Sequence, residues 1–206
     1  MQNNFRILVA APTYKGMKYC HDRFFNSIKN FSHPNYNILI IENSEDEEYF
    51  EELKKENKIS LIRDNFSEKN KIKRIISSRN KIIKYALENN YDYILMLDSD
   101  VLCPKNIIEE LLSCNKDIVS GLYFNYFVDR GETKILPVAW MPITEKEFNI
   151  LKEKRNLPEF ITSHEDLRRN LTKQEVDSNE LLKVLHPSAG CMLILKKVFE
   201  KIKYDL

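Results

Sequence analysis

Asp98, Ser99 and Asp100 place two carboxylates one residue apart, directly after the apolar run Tyr93-Ile94-Leu95-Met96-Leu97. Such a run reads as a buried strand, and in an open α/β sheet ligands bind beyond the carboxyl ends of the strands. Hard divalent cations take oxygen ligands. Mg²⁺ or Mn²⁺ is commonly held by one or two carboxylates together with phosphate oxygens. Asp98 and Asp100 are therefore candidate metal ligands. The competing reading is a plain turn in which both aspartates cap the chain ahead of Pro104; placement after a buried strand favours the metal.

Arg79 is the second informative residue. The spacing predicts a helix over 71–89 with an apolar stripe of Ile72, Ile75, Ile76, Ile82, Ile83, Ala86 and Leu87, and Arg79 falls on the same face. A cation there must snorkel or meet an anion. A diphosphate and a carboxylate such as Asp98 are equal candidates. Pro12-Thr13-Tyr14 ends the first apolar run, where Tyr14 could stack on a base, although taken by itself an ordinary turn is the preferred reading of that segment. Glu42-Asn43-Ser44 ends the second run. Glu42 could accept hydrogen bonds from a base or ribose, and Ser44 suits the N-cap of a helix starting at Glu45. His186 reads as a surface turn residue rather than a third metal ligand. His21, His33 and His164 form no constellation, and Glu165-Asp166 reads as a solvated helix start.

These residues need a scaffold of alternating strands and helices. Strands are predicted at 5–11, ended by Pro12, and at 37–41, 60–63, 93–97, 118–119, 135–140 and 190–195. Helices are predicted at 18–31, 45–57, 71–89, from Pro104 to about 113, and from Lys196 to Ile202. Repeated β-α-β order with short links implies a mainly parallel sheet with helices on both faces, an α/β fold. The stretch from Thr144 to Leu182 is charged and helical, without a strong strand, and reads as an insertion or lid over the sheet edge within a single domain spanning 1–206.

The chain has 206 residues, enough for one α/β core. Its net charge of +1 excludes the basic field of a non-specific nucleic-acid binder. Cys20, Cys103, Cys114 and Cys191 make no Cys-x-x-Cys pair, which disfavours zinc. No uncharged apolar run approaches the ~20 residues of a membrane helix, and no secretory leader is visible. The expectation is a cytoplasmic protein with reduced thiols, with peripheral contact to a membrane left open. The sequons at Asn30, Asn65 and Asn170 are then chance matches.

Several stretches together resemble the family 2 glycosyltransferases of the GT-A, Rossmann-like fold. They are Ile7-Leu8-Val9-Ala10-Ala11-Pro12-Thr13-Tyr14, Ile40-Ile41-Glu42-Asn43-Ser44, Ser78-Arg79-Asn80, and Tyr91 to Val101 around Asp98-Ser99-Asp100. Gly190-Cys191-Met192-Leu193-Ile194, followed by Lys197-Val198-Phe199, resembles the family's acceptor-side segment. The resemblance implies that Pro12, Thr13, Tyr14 and Glu42 hold the nucleotide of a nucleoside-diphosphate sugar and that Arg79 lies near the diphosphate. It implies that Asp98 contacts ribose or metal, with Ser99 between the carboxylates, and that Asp100 ligates Mn²⁺ or Mg²⁺. Transfer to an acceptor hydroxyl (of a carbohydrate, lipid-linked or protein acceptor) is expected to be inverting. It then needs a carboxylate base, which in the family follows the glycine-strand-helix segment. This sequence reaches Leu206 where that region should begin, so either it is cut short or the base comes from elsewhere. Two alternatives stand beside this reading. One is a domain that binds a nucleotide sugar without turning it over. The other is a haloacid-dehalogenase-type phosphatase using Asp98-Ser99-Asp100-Val101, although three strand-helix units precede that loop. A sugar nucleotidylyltransferase lacks its glycine-rich basic loop here, and a Rossmann dehydrogenase its Gly-x-Gly-x-x-Gly.

Overall fold

The computed structural model describes residues 4–205, apart from Glu45, Ser67, Arg130 and the side chain of Asp129. In chain order the elements are β1 (Ile7–Thr13), α1 (His21–Ile28), β2 (Tyr36–Glu42), α2 (Glu47–Leu53), β3 (Ser60–Arg63), α3 (Lys71–Glu88), β4 (Tyr93–Leu97), α4 (Ile107–Ser113) and β5 (Ile118–Ser120). There follow β6 (Phe124–Asp129), β7 (Glu132–Pro137), β8 (Trp140–Pro142), α5 (Glu145–Lys154), β9 (Arg168–Asn170), α6 (Lys173–Asp177), β10 (Cys191–Leu195) and α7 (Lys196–Phe199). They fall into two compact units, Met1–Gly121 with Ala189–Leu206, and Leu122–Ser188.

The first unit holds a six-stranded sheet in the order β3-β2-β1-β4-β10-β5. β1, β2, β3 and β4 run parallel, and β10 runs antiparallel to both β4 and β5. The mainly parallel α/β sheet expected from the sequence is the one observed. Alternate residues of three strands (Leu8, Ala10, Leu39, Ile41, Ile94 and Met96) pack with Ile82, Ile83 and Ala86 of α3 into one core. The intervening Ile7, Val9, Ala11, Ile38, Ile40 and Leu95 are buried as well. Unbroken apolar strands covered on both faces are what a parallel sheet requires.

Pro12 does not end β1, as expected, but lies within it, in register with Ile41. Ile7 donates its N–H to Asn35 and Thr13 accepts from Asn43, so odd-numbered backbone groups of β1 face β2. The nitrogen of Pro12 therefore faces the β4 side, where pairing has already stopped at Ala10↔Met96. The missing donor costs no ladder bond.

Other boundaries also moved. The expected helix over 18–31 is a 3₁₀ turn over Lys15–Cys20 followed by α1. The expected helix start at Glu45 and the Ser67 of one sequon lie outside the described residues. Asp46, not Ser44, caps α2, accepting from the Tyr49 N–H. Pro104 does not start α4; it accepts the Ile107 N–H in a preceding turn. Asn70 caps α3 through the N–H groups of Ile72 and Lys73. The apolar stripe of α3 outruns its core, leaving Ile72 60% and Ile75 42% exposed while Ile82 is fully buried.

The second unit contains two hairpins, β6–β7 and β8–β9. The expected strand over 135–140 is split between β7 and β8, and β6 was not foreseen. Gly131 takes φ +84° at the β6–β7 turn, a conformation glycine adopts freely. α5 and α6 each begin with a capping box, Thr144 with Glu147 and Thr172 with Glu175. Arg169 of β9 forks onto Glu175 at 2.7 and 2.9 Å and holds that carboxyl down at about 2. The stretch 144–182 carries the short helices α5 and α6 and a 3₁₀ turn over His164–Asp166. It also contains strand β9, and the compact unit around it begins earlier, at Leu122.

The α3 stripe gives a direct test. Ile82→Ala removes a fully buried side chain and is expected to cost about 2–5 kcal/mol. Ile72→Ala, on the same stripe, is expected to change stability by no more than about 0.5 kcal/mol. Denaturant unfolding of both variants checks the pair.

Candidate functional site

Parallel pairing brings the carboxyl ends of four strands to one edge of the first unit's sheet. Thr13 of β1 stands opposite Glu42 of β2, and Glu42 opposite Arg63 of β3. The backbone continues these rows one residue further, with Asn43 N–H donating to Thr13 and Asp64 N–H to Glu42. β4 delivers Asp98, Ser99 and Asp100 beyond Leu97. Asp98 donates its N–H to the Gly190 carbonyl and accepts from Val101, which fixes the start of the loop.

Arg79 finds the carboxylate rather than remaining open. Its guanidinium donates to Asp98 Oδ1 at 2.8 Å and to the Ala189 carbonyl at 3.3 Å, and lies over the Tyr204 ring at 5.3 Å. Arg79 is 7% exposed, whereas 40% of the Asp98 side chain is exposed. The pair therefore joins a buried cation to a half-open carboxylate. Asp100 is exposed at its outer side, yet partial burial and then the Asp98 charge raise its carboxyl above the ordinary value. Two close carboxylates with only one neutralised are a site that a cation would relieve. Among the described residues no cluster of three or more His, Cys, Asp or Glu side chains could hold a metal.

A second carboxylate network was missed by the sequence reading. Asp64, 3% exposed, accepts from Ser78 Oγ at 2.9 Å, Ser77 Oγ at 3.2 Å and Lys81 Nζ at 2.8 Å. Asn43 Nδ2 donates to Ser78 Oγ at 3.1 Å. These bonds fasten the turn of α3 that carries Arg79 to the ends of β2 and β3. Burial pushes the Asp64 carboxyl up, but the bonds from Lys81, Ser78 and Ser77 outweigh it and hold the group below its ordinary value. The available signal was its position: Asp64 directly follows a strand, as Asp98 does.

The remaining predicted residues are placed as follows. Pro12 and Thr13 are buried and Tyr14 is 40% exposed. The Tyr14 ring lies against Gly16, where a Cβ would come within 2.3 Å of it. Thr13 Oγ1 lies 3.4 Å from His21 Nε2 and 3.3 Å from the Tyr49 hydroxyl, which are 2.5 Å apart. His21 therefore does belong to a constellation, one built at a distance in sequence. Burial lowers its basicity and raises the Tyr49 phenol, so the trio is neutral. Glu42 is fully buried, with one oxygen taking the N–H and hydroxyl of Ser44 and the other near Arg63 Nε at 3.4 Å. Ser44 thus serves Glu42 rather than a helix. Ser99 is buried, and its carbonyl accepts from Cys20 Sγ at 3.3 Å. His186, in the second unit, is exposed and pairs through its backbone with Trp140. Asp166 caps a 3₁₀ turn through Ser163 and Thr162 N–H groups, which lower its carboxyl, as a helix-start role requires.

The sequence matches the glycosyl transferase family 2 profile over residues 9–203, and the chain belongs to that family. The phosphatase reading of the Asp98 loop falls with that assignment. No curated protein shows a sequence match. Among solved structures, the chain is similar to S. aureus TarS (17% identity, TM-score 0.43, covering 52% of this chain and 19% of that one). It is also similar to the mannosyltransferase PcManGT from Pyrobaculum calidifontis in complex with GDP-Man and Mn²⁺ (15%, TM-score 0.42, 57% and 36%). A third similar structure is the 4-diphosphocytidyl-2C-methyl-D-erythritol synthase from Anaerococcus prevotii (10%, TM-score 0.49, 98% and 78%). The chain spans well under half the length of the two glycosyltransferases, 19% and 36%.

The site's asymmetry predicts unequal costs. Asp98→Ala strands a buried guanidinium and is expected to destabilise the protein by about 1–3 kcal/mol. Asp100→Ala removes a repelled carboxylate and is expected to stay within about 0.5 kcal/mol of wild type. Thermal or denaturant unfolding separates the two. Asp64 predicts a pH effect. Its folded value lies below the unfolded one, so its contribution is present above about pH 4 and is lost as pH falls through the folded value. Asp64→Asn is therefore expected to lose less stability than wild type between about pH 6 and pH 3. Equal acid losses in denaturant midpoints would show that Asp64 is not held in its charged form.

Proposed function

We propose that this chain transfers a sugar from a nucleoside-diphosphate sugar to an acceptor hydroxyl, with the donor at the carboxyl ends of β1, β2 and β4. The observation that carries the reading is Asp98, anchored by Arg79 beside an unneutralised Asp100, at the strand-end edge of a glycosyl transferase family 2 sheet. Asp98 and Asp100 would hold Mn²⁺ or Mg²⁺, with Asp98 also within reach of ribose. The ion would supply Lewis-acid stabilisation of the leaving nucleoside diphosphate.

The other roles belong to the chain itself. Tyr14 offers an exposed ring to a base at the end of β1. Pro12 and Thr13 shape the backbone beneath it. Glu42 is turned inward onto Ser44 and Arg63, so contact with a base or ribose requires it to exchange one of these donors. Arg79 acts beside the diphosphate by orienting Asp98, and Asp64 with Ser78 orients the turn that carries Arg79. Inverting transfer needs a carboxylate to take the acceptor proton. No described residue is assigned that task, and the acceptor is open. Among the described residues no helix is long and apolar enough to cross a membrane. Four free thiols, one buried and three partly exposed, support a cytoplasmic setting.

Calorimetry of UDP and GDP binding in Mn²⁺ and in chelator tests the donor site. Mn²⁺ is expected to tighten binding of one nucleotide by about tenfold or more, the scale on which supports of a metal site act. Asp100→Ala is expected to abolish that gain while retaining the fold. Equal affinity with and without the ion would overturn the metal assignment. Turnover is tested separately, by nucleoside diphosphate release from UDP- and GDP-sugars. Metal-dependent binding without any release under acceptor screening would favour a domain that only binds the donor.

A further inference from the structure

Three of the four thiols surround the loop that carries Asp98, Ser99 and Asp100. Cys20 donates to Met17 and Ser99 carbonyls. Cys103, five residues beyond Asp98, brings its sulfur to 3.7 Å from that of Cys191, across 88 residues of sequence. Cys191 is 2% exposed on β10, opposite Leu97 of β4, and follows Gly190, whose carbonyl takes the Asp98 N–H. Cys103 is partly exposed, and its backbone is held by Ser27 Oγ, which donates to its carbonyl at 2.9 Å. Gly121 lies beside Cys191, donating its N–H to the Cys191 carbonyl. A Cβ there would approach the Cys191 sulfur to 3.0 Å, so glycine leaves the thiol its space. Cys114 instead donates to the Glu110 carbonyl in its own helix.

Both sulfurs are free thiols held face to face by unrelated parts of the fold. A disulfide needs them at about 2.05 Å, a closure of roughly 1.7 Å, on the scale of a side-chain rotation. We propose that Cys103 and Cys191 are an oxidation site, converted by hydrogen peroxide to a reversible disulfide that fastens the carboxylate loop to β10. One of the two sulfurs, as its thiolate, attacks one peroxide oxygen. The O–O bond breaks, leaving a sulfenic acid and one water. The partner sulfur then displaces the sulfenic oxygen, forming the S–S bond and a second water. Two electrons pass from the sulfurs to the peroxide, and both thiol protons end in water. The bond adds a second tether next to the Asp98–Gly190 hydrogen bond. Transient disulfides of this kind are compatible with a reducing compartment, where structural ones are rare.

The test is peptide mapping of the intact protein after stoichiometric hydrogen peroxide, alkylation and trypsin. Each cysteine falls in its own tryptic peptide: Cys20 in 19–23, Cys103 in 85–105, Cys114 in 106–116 and Cys191 in 184–196. The expected product links 85–105 to 184–196, disappears with dithiothreitol, and leaves Cys114 alkylated. Cys103→Ser, at a partly exposed position, is expected to fold and to lose the linked peptide. Amide hydrogen exchange over residues 98–103 is expected to slow on oxidation of wild type, and the melting temperature to rise, with neither change in Cys103→Ser. Free alkylation of both cysteines after peroxide, oxidation only to sulfinic acid, or a link from Cys103 to the Cys20 peptide would overturn the site. A linked peptide with unchanged exchange and melting would overturn the fastening.

Discussion

A buried guanidinium on an apolar helix face is the constraint around which the first unit is arranged. Left alone, Arg79 would be costly to bury. It is accommodated by meeting three separate parts of the chain: the Asp98 carboxylate after β4, the Ala189 carbonyl before β10, and the Tyr204 ring near the end of the chain. Each contact also fixes the group that makes it. Asp98 is thereby held at the sheet edge with Asp100 two residues on, and α3 is held over the core that Ile82, Ile83 and Ala86 share with β1, β2 and β4. The same interaction thus serves packing and the site.

The edge of the sheet carries a row of acids treated in different ways. Glu42 is closed off by Ser44 and Arg63. Asp64 is saturated by Ser77, Ser78 and Lys81. Asp98 has one oxygen engaged by Arg79, and Asp100 is left to the repulsion of its neighbour. Neutralisation falls away from the fully buried acids to the exposed one. Of these four acids, the Asp98–Asp100 end is the one left with the fewest donors. The number of donors each carboxylate already has separates the closed ones from the open ones.

Much of this was legible in the sequence where a physical rule acts locally. Runs such as Ile7 to Ala11 and Ile94 to Leu97 read as buried strands, and α3 is marked by its period. The acids at strand ends followed from those assignments. What the sequence left undecided was pairing at a distance. Diphosphate and Asp98 were equal partners for Arg79. His21 showed no partner because Thr13 and Tyr49 are brought to it only by β1 and α2. Asp64 was overlooked because its meaning lies in Ser77, Ser78 and Lys81 on another element. Pro12 looked like a strand end because its missing N–H matters only if a neighbour stands on that side.

The sequence alone thus determined the α/β class, the family resemblance and the residues offered at the strand ends, since hydrophobic period and strand-end position are properties of short windows. Tertiary structure decided which of those residues are already spoken for and which remain open. It also decided that residues 122–188 form a compact unit of their own, with hairpins the sequence suggested only in part. The physical reason is the same in both cases. The energies of ion pairs, buried hydrogen bonds and strand ladders depend on separations across the fold, which no local pattern of residues contains.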